Sequence, residues 1–373
     1  MAATGDHDVH LGNLRLRVNG LAFQQQDLAV GACATASLWS ALHKVTRHEG
    51  IRAPTPAEVS QAAGRYGLPL GRTLPATAGL SVPQLCDAVR AVGLAPEVLN
   101  TAEPELFVLA LHTYLLSGIP VVLVLGRKEG HHAVTALGFQ YTSDGPAPEL
   151  STSVPTRSAR IHKLYIHDDG VGPYARAFLQ ARPLTQPRPL TEKQKKKGQV
   201  EEPPVPAHLI LGIEEKRQDE KTIGNPDPKT LKLWWIDSAI VPVYPKLRLS
   251  ARSLITLADQ VADPMEAVVG DQAMKLSVEM LYERAGAFLG RLTSVPGADV
   301  DAFVRRIALS RWCGVVRWYL DEKPLAEFVY DTTDVLRDTH QHGAELIRAI
   351  VCLEPAYRPH LQGVATALQT VCV

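Results

Sequence analysis

The apolar positions of the first half change period once, from helical to extended. In residues 32–45 (ACATASLWSALHKV) Leu38, Ala41, Leu42 and Val45 recur at i, i+3, i+4 and i+7, the stripe of an amphipathic helix. Thr55, with Pro56 at a first helical position and Glu58 three residues on, predicts a second helix leading to Tyr66. Ser81-Val82-Pro83-Gln84 starts a third, with Leu85, Val89 and Val92 on one face and Gly93 as terminator. Residues 101–117 form a fourth, ended by Gly118. The β-branched runs 119–125 and 132–139, joined by Gly126-Arg127-Lys128-Glu129-Gly130, then read as strands, and 164–167 as a third strand stopped by Asp168-Asp169-Gly170. Further on, 208–213 and 231–243 read as strands, and 250–261, 299–309 and 343–352 as helices. Residues 311–320 and 325–330 form a hairpin around Asp321-Glu322-Lys323. No internal repeat of 20–50 residues is present.

One composition break divides this pattern. Residues 183–206 hold Pro183, Pro187, Pro189, Pro203, Pro204 and Pro206 around the run Lys193-Gln194-Lys195-Lys196-Lys197. Such a stretch has too little apolar surface to offset its ordering entropy, so it is expected as a linker or inserted loop. The expected organisation is an N-terminal unit over 1–182, this linker or inserted loop over 183–206, and an α+β extension over 207–373. At 373 residues, 46% apolar and 21% charged, the chain has globular composition and room for two domains.

Thirty-nine basic residues balance 39 acidic ones, so no net field recruits nucleic acid or an anionic membrane. No apolar run of 18 residues is present, and residues 1–20 lack the basic start and apolar core of a secretory signal. The five cysteines (Cys33, Cys86, Cys313, Cys352 and Cys372) are odd in number and widely spaced, which points to reduced thiols in a cytoplasm. Neither a phosphate-binding G-x-x-x-x-G-K-[ST] loop nor a dinucleotide fingerprint occurs, so no organic cofactor is expected.

Candidate chemistry begins with Cys33, which opens the first helix, where free backbone N–H groups and the positive end of the dipole favour a thiolate. The small residues Ala34, Thr35, Ala36 and Ser37 let that first turn approach another element closely. His131 and His132 follow Gly130 at the mouth of a strand, and because neighbouring strand residues face opposite ways only one can serve a given site. Asp168 and Asp169 end the next strand, where a carboxylate can orient an imidazole. Gln24, Gln25 and Gln26 lie upstream of Cys33, where a side-chain amide can donate to an oxyanion.

Taken in order, Gln26, Gly31-Ala32-Cys33-Ala34, then Gly118-Ile119-Pro120 leading to His132-Ala133-Val134 and Gly138-Phe139, then Leu164-Tyr165-Ile166-His167-Asp168, the chain resembles the papain-like cysteine peptidases. Within them it is most similar to the branch of bacterial double-glycine leader peptidases, over about residues 20–180. The resemblance implies an α+β papain-like fold, with helices packed on an antiparallel sheet and a C-terminal α+β extension. It implies Cys33 as nucleophile, His132 as base and acid, Asp168 as its orienting partner, and Gln26 in the oxyanion hole, with Gln25 as the alternative. The implied reaction is cleavage of a peptide or isopeptide bond in a specific partner protein through a thioacyl-enzyme. An amidase or acyltransferase using the same site, and a silent binding module, are the alternatives. A metal site from His131, His132, His167, Asp168 and Asp169 is not expected, because adjacent strand histidines diverge. Trp234-Trp235, Trp312 and Trp318 read as core and hairpin packing. Residues 207–373 are expected to gate the cleft or contact a partner protein, with no nucleic acid or membrane involved.

Overall fold

The computed structural model describes residues 4–25, 32–65, 79–128, 130–142, 155–182, 208–215, 230–333 and 343–373. The chain opens with a hairpin, β1 (Gly5–Leu11) and β2 (Leu14–Gly20), and continues through α1 (Cys33–His48), α2 (Pro56–Ala63), α3 (Val82–Ala91), β3 (Ala95–Asn100) and α4 (Pro104–Leu116). Six strands follow: β4 (Val121–Arg127), β5 (Gly130–Tyr141), β6 (Ile161–Asp168), β7 (Gly172–Arg182), β8 (His208–Glu214) and β9 (Leu231–Val243). The remainder is α5 (Ala251–Gln260), α6 (Ala262–Val269), β10 (Leu276–Arg284), α7 (Ala285–Leu292), α8 (Val300–Arg306), β11 (Trp312–Leu320), β12 (Lys323–Asp331), β13 (Ile347–Cys352) and α9 (Arg358–Ala367).

Local chemistry sets many of these boundaries. α2 starts on a reciprocal capping box: the Glu58 amide donates to Thr55 Oγ1 at 3.2 Å, and the Thr55 amide to Glu58 Oε2 at 2.8 Å. α3 and α4 both stop at glycines of positive φ, Gly93 at 80° and Gly118 at 74°. The leading hairpin follows the alternation of Val9, Leu11, Leu14, Leu16 and Val18 with polar residues.

Strands β4 to β9 pair antiparallel in chain order, and β9 returns to pair with β4, closing a six-stranded barrel. One edge of β9 meets β4, and the other meets β8 along Leu231–Trp235 and β3 along Ser238–Val243. This corrects the expected papain-like fold of helices on an antiparallel sheet: the sheet curls on itself, and further sheets and helices surround it. The physical reason is the length of β9, 13 residues, which lets one strand serve three neighbours. β8 and β9 lie in the stretch expected as a C-terminal extension, yet they supply two of the barrel's strands. The expected linker, 183–206, lies outside the described residues.

The second sheet is antiparallel in the order β10-β11-β12-β13. Residues 343–352, expected as a helix, instead give a 3-10 turn (Gly343–Leu346) and then β13, because Ile347 and the run Ala349–Cys352 are buried between apolar layers on both faces of this sheet. Val315, Val329 and Val351 pack with Phe288, Leu292 and Phe303 of α7 and α8. Val316, Phe328 and Ile350 point the other way, into a core continuous with the barrel and α1. Across this sheet Glu279, Arg317 and Glu327 stand in one row, and Arg291 bridges Glu327 and Glu283 at 2.9 and 2.7 Å. Single parallel bridges lie along both outer strands, Thr156 to Val278 on β10 and Cys372 to Ile350 on β13.

Gly126 marks a close approach in the barrel wall. It stands in register with His131 on β5 and Trp235 on β9, and a Cβ there would meet Trp235 Nε1 at 2.1 Å and Asp237 Oδ2 at 2.7 Å. Gly126→Val is expected to expel the indole and destabilise the protein by about 1–3 kcal/mol, the usual cost of overpacking. Thermal unfolding together with tryptophan fluorescence checks this, and an unchanged midpoint would refute it.

Candidate active site

Cys33 is the first residue of α1, directly after the cap residue Ala32. The small side chains behind it let the helix lie tightly on β5. Ser37 Oγ donates to the Ala133 carbonyl at 2.8 Å, and Thr135 Oγ1 donates to the Ser37 carbonyl at 2.7 Å, both in buried surroundings. This reciprocal pair fixes the helix against the strand that carries His132, and from that position Cys33 acts on the His132 imidazole. The nucleophile candidate and the base candidate therefore come from different layers, held at one crossing.

The acid arrives from β6. β5 and β6 pair with Thr135 opposite His167, so the end of β6 lies beside the start of β5. His132 Nε2 is 3.2 Å from Asp168 Oδ1 and 3.6 Å from Asp169 Oδ1. Asp168 Oδ1 also accepts the backbone N–H groups of Gly170 at 2.9 Å and Val171 at 3.2 Å, so the turn Asp168-Asp169-Gly170 fixes the carboxylate. His132 keeps 17% of its side chain exposed while the Asp168 side chain keeps 5%, the arrangement wanted when one group must meet a substrate and the other must only orient it. The Trp234 ring packs on His132 with centroids 5.3 Å apart.

The electrostatics follow from these contacts. Burial opposes a charge on His132, but hydrogen bonds to Asp168 and Cys33, with the charges of both, raise it to about 10. Burial likewise opposes ionisation of Asp168, yet the His132 bond and the Gly170 and Val171 amides hold its carboxyl below the usual range. Asp169 moves the other way: burial pushes its carboxyl up, and the neighbouring Asp168 charge adds to the rise. The two acids are thereby separated, with Asp168 ionised against His132 and Asp169 more easily protonated.

Sequence reasoning named Cys33, His132 and Asp168, and the fold brings all three together. His131 points elsewhere, exposed on the opposite face with Nε2 3.8 Å from Asp237 Oδ2. His167 is buried between Phe23 and Tyr174, and burial lowers it to about 4. Gln26 lies outside the described residues, so its oxyanion role rests on the sequence alone. Gln24 and Gln25 are exposed. Trp234 was read as packing only, and nothing local in its sequence placed it on His132; that contact comes from barrel closure. The donor atoms of His132, Asp168 and Asp169 lie within 4.8 Å of one another, a set able to hold a metal ion if the hydrogen bond from His132 to Asp168 were given up.

The other thiols contrast with Cys33. Cys86, Cys313 and Cys352 are buried, Cys372 is half-buried, and all five cysteines are free. Burial pushes Cys313 up to about 12 and Cys372 to about 11, and raises Cys86 and Cys352 as well. None of these four is bonded to a histidine side chain among the described residues. Comparison with known proteins gives no match: no protein-family model fits the chain, and no curated protein is similar to it in sequence.

Proposed function

We propose that the protein is a cysteine peptidase that cleaves a peptide or isopeptide bond in a specific partner protein. The observation that carries this reading is the joint action of Asp168 and Cys33 on His132: Nε2 lies 3.2 Å from Asp168 Oδ1, and both side chains favour the protonated imidazole. A protonated imidazole bonded to sulfur is the charge state in which the sulfur attacks a carbonyl as thiolate. His132 then gives its proton to the leaving amine, and water releases the acyl group. The order Cys, His, Asp along the chain supports a likeness in chemistry to the papain-like peptidases. It requires no likeness in architecture, because such triads recur on unrelated folds. Among the described residues no helix is long and apolar enough to cross a membrane. Five free thiols fit a reducing compartment, and we place the protein in a cytoplasm on that ground.

The test is intact-mass analysis after brief treatment with a peptide-like cysteine electrophile at neutral pH. One adduct per chain, mapped to Cys33, is expected, since the other four thiols are held protonated by burial. Equal labelling of several cysteines, or none at Cys33, would overturn the reading. A peptide library then separates peptidase from acyltransferase by its products with and without an added amine.

A further inference from the structure

Away from the Cys33 site, the β1–β2 hairpin and the last turns of α1 enclose a cavity of about 170 Å³. Its wall carries His7 from the hairpin and His43, Lys44, Arg47 and His48 from α1. Pockets for drug-sized organic ligands start at roughly 300 Å³ and are mostly apolar, so this one suits a small, strongly polar species.

A donor and acceptor count shows which kind. The one carboxylate on the wall is Asp6, and both its oxygens are engaged, Oδ2 by Arg17 at 2.8 Å and Oδ1 by Asn19 at 2.9 Å. His7 is also fully used: Nδ1 accepts from Arg47 at 2.8 Å, which makes Nε2 the donor to the Gly20 carbonyl at 3.1 Å. Among the described residues, the Lys44 ammonium has one acceptor, the Thr4 carbonyl, and Arg47 has only the His7 nitrogen. His43 Nδ1 is buried and has no partner. Several N–H donors and two full positive charges thus converge on a wall whose one carboxylate, Asp6, already accepts from Arg17 and Asn19. Glu49, the next acid along the chain, is taken by Arg284 and Arg311, each at 2.6 Å. The negative end of the α1 dipole, roughly half an elementary charge, is outweighed by the two cations.

We propose that this cavity is a binding site for a small tetrahedral oxyanion of the phosphate class, held chiefly by Lys44 and Arg47. Such an ion offers acceptors in several directions at once, matching donors that come from successive turns of α1. Burial and the Arg47 charge lower Lys44 by more than the Asp6 charge raises it, and a bound anion relieves that stress. Because the cavity lies between the hairpin and the helix that begins at Cys33, the bound ion ties the two together. The ligand is either the free ion or a phosphate monoester carried by a larger molecule.

The test uses the full-length protein, titrated with inorganic phosphate and, separately, phenyl phosphate, each against chloride at equal ionic strength. Calorimetry is expected to give saturable binding at one site. Thermal unfolding should move upward with phosphate, and amide exchange in β1 and β2 should slow. Arg47→Gln, at an exposed position, and Lys44→Met should each weaken binding about tenfold or more. Comparable binding of the monoester assigns the site to a phosphate carried on a larger molecule, and preference for inorganic phosphate assigns it to the free ion. Equal responses to phosphate and chloride, or undiminished binding by both variants, would overturn the proposal.

Discussion

Replacing Cys33 with alanine is expected to abolish turnover, a loss on the order of 10⁴-fold or more, the scale seen when a triad nucleophile is removed. The fold should survive, because alanine has the best helix propensity at a position already at the start of α1, and Cys33 is only partly buried. A second readout does not depend on knowing the substrate. The Cys33 hydrogen bond and charge help hold His132 at about 10, so Cys33→Ala should lower the His132 titration followed by NMR. Retained hydrolysis in a folded Cys33→Ala protein would falsify the proposed mechanism. An unmoved His132 titration would show that the two side chains do not interact in solution.

The second large effect belongs to Asp168. Asp168→Asn removes the nearest carboxylate charge on His132 and leaves at most a neutral amide oxygen to accept its Nε2 proton. Turnover should fall by about 10²–10⁴-fold, the range for general acid–base and orienting groups. The alkaline limit of activity, set by loss of the His132 proton near 10, should move to lower pH. The stability effect has a definite sign. His132 is raised, so its share is complete below its ordinary value of 6.5 and is lost as pH rises toward about 10. Asp168 is lowered, so its share is present above its ordinary value of 3.8 and is lost as pH falls through its folded value. The difference in unfolding free energy between wild type and Asp168→Asn should therefore be largest between about pH 4 and 6.5. A difference constant from pH 4 to 10 would contradict the pairing. Asp169 stays 3.6 Å from His132 and is the residue expected to support what activity remains.

The three central residues were legible because each sits where local sequence marks an element's end. Cys33 starts a helical stripe, His132 follows a glycine into a β-branched run, and Asp168 stands before Asp169-Gly170. Such signals reach only a few residues along the chain. The barrel was not legible because it depends on Gly126 pairing with Trp235 and on Ile210 pairing with that same residue, registers set by distant strands. Residues 172–182 escaped for a local reason, since Gly172, Pro173 and the ion-paired Arg176 break the alternation that marks a strand. β13 was misread because a short apolar run fits a buried helix and a buried strand equally well.

The single bridges beside the second sheet bear on how the protein behaves when crowded. An open antiparallel sheet presents unpaired N–H and C=O groups on both outer strands, an invitation to strand exchange and aggregation. Here Pro155 accepts the Val278 amide at 2.9 Å on one side, and Val371 and Val373 accept the Ile350 and Cys352 amides at 2.8 Å on the other. A passing extended chain meets an interrupted ladder at either border. The barrel wall, closed by β9, offers it none from β4 to β8. Two short pieces of chain with no catalytic duty thus act as stoppers against self-association.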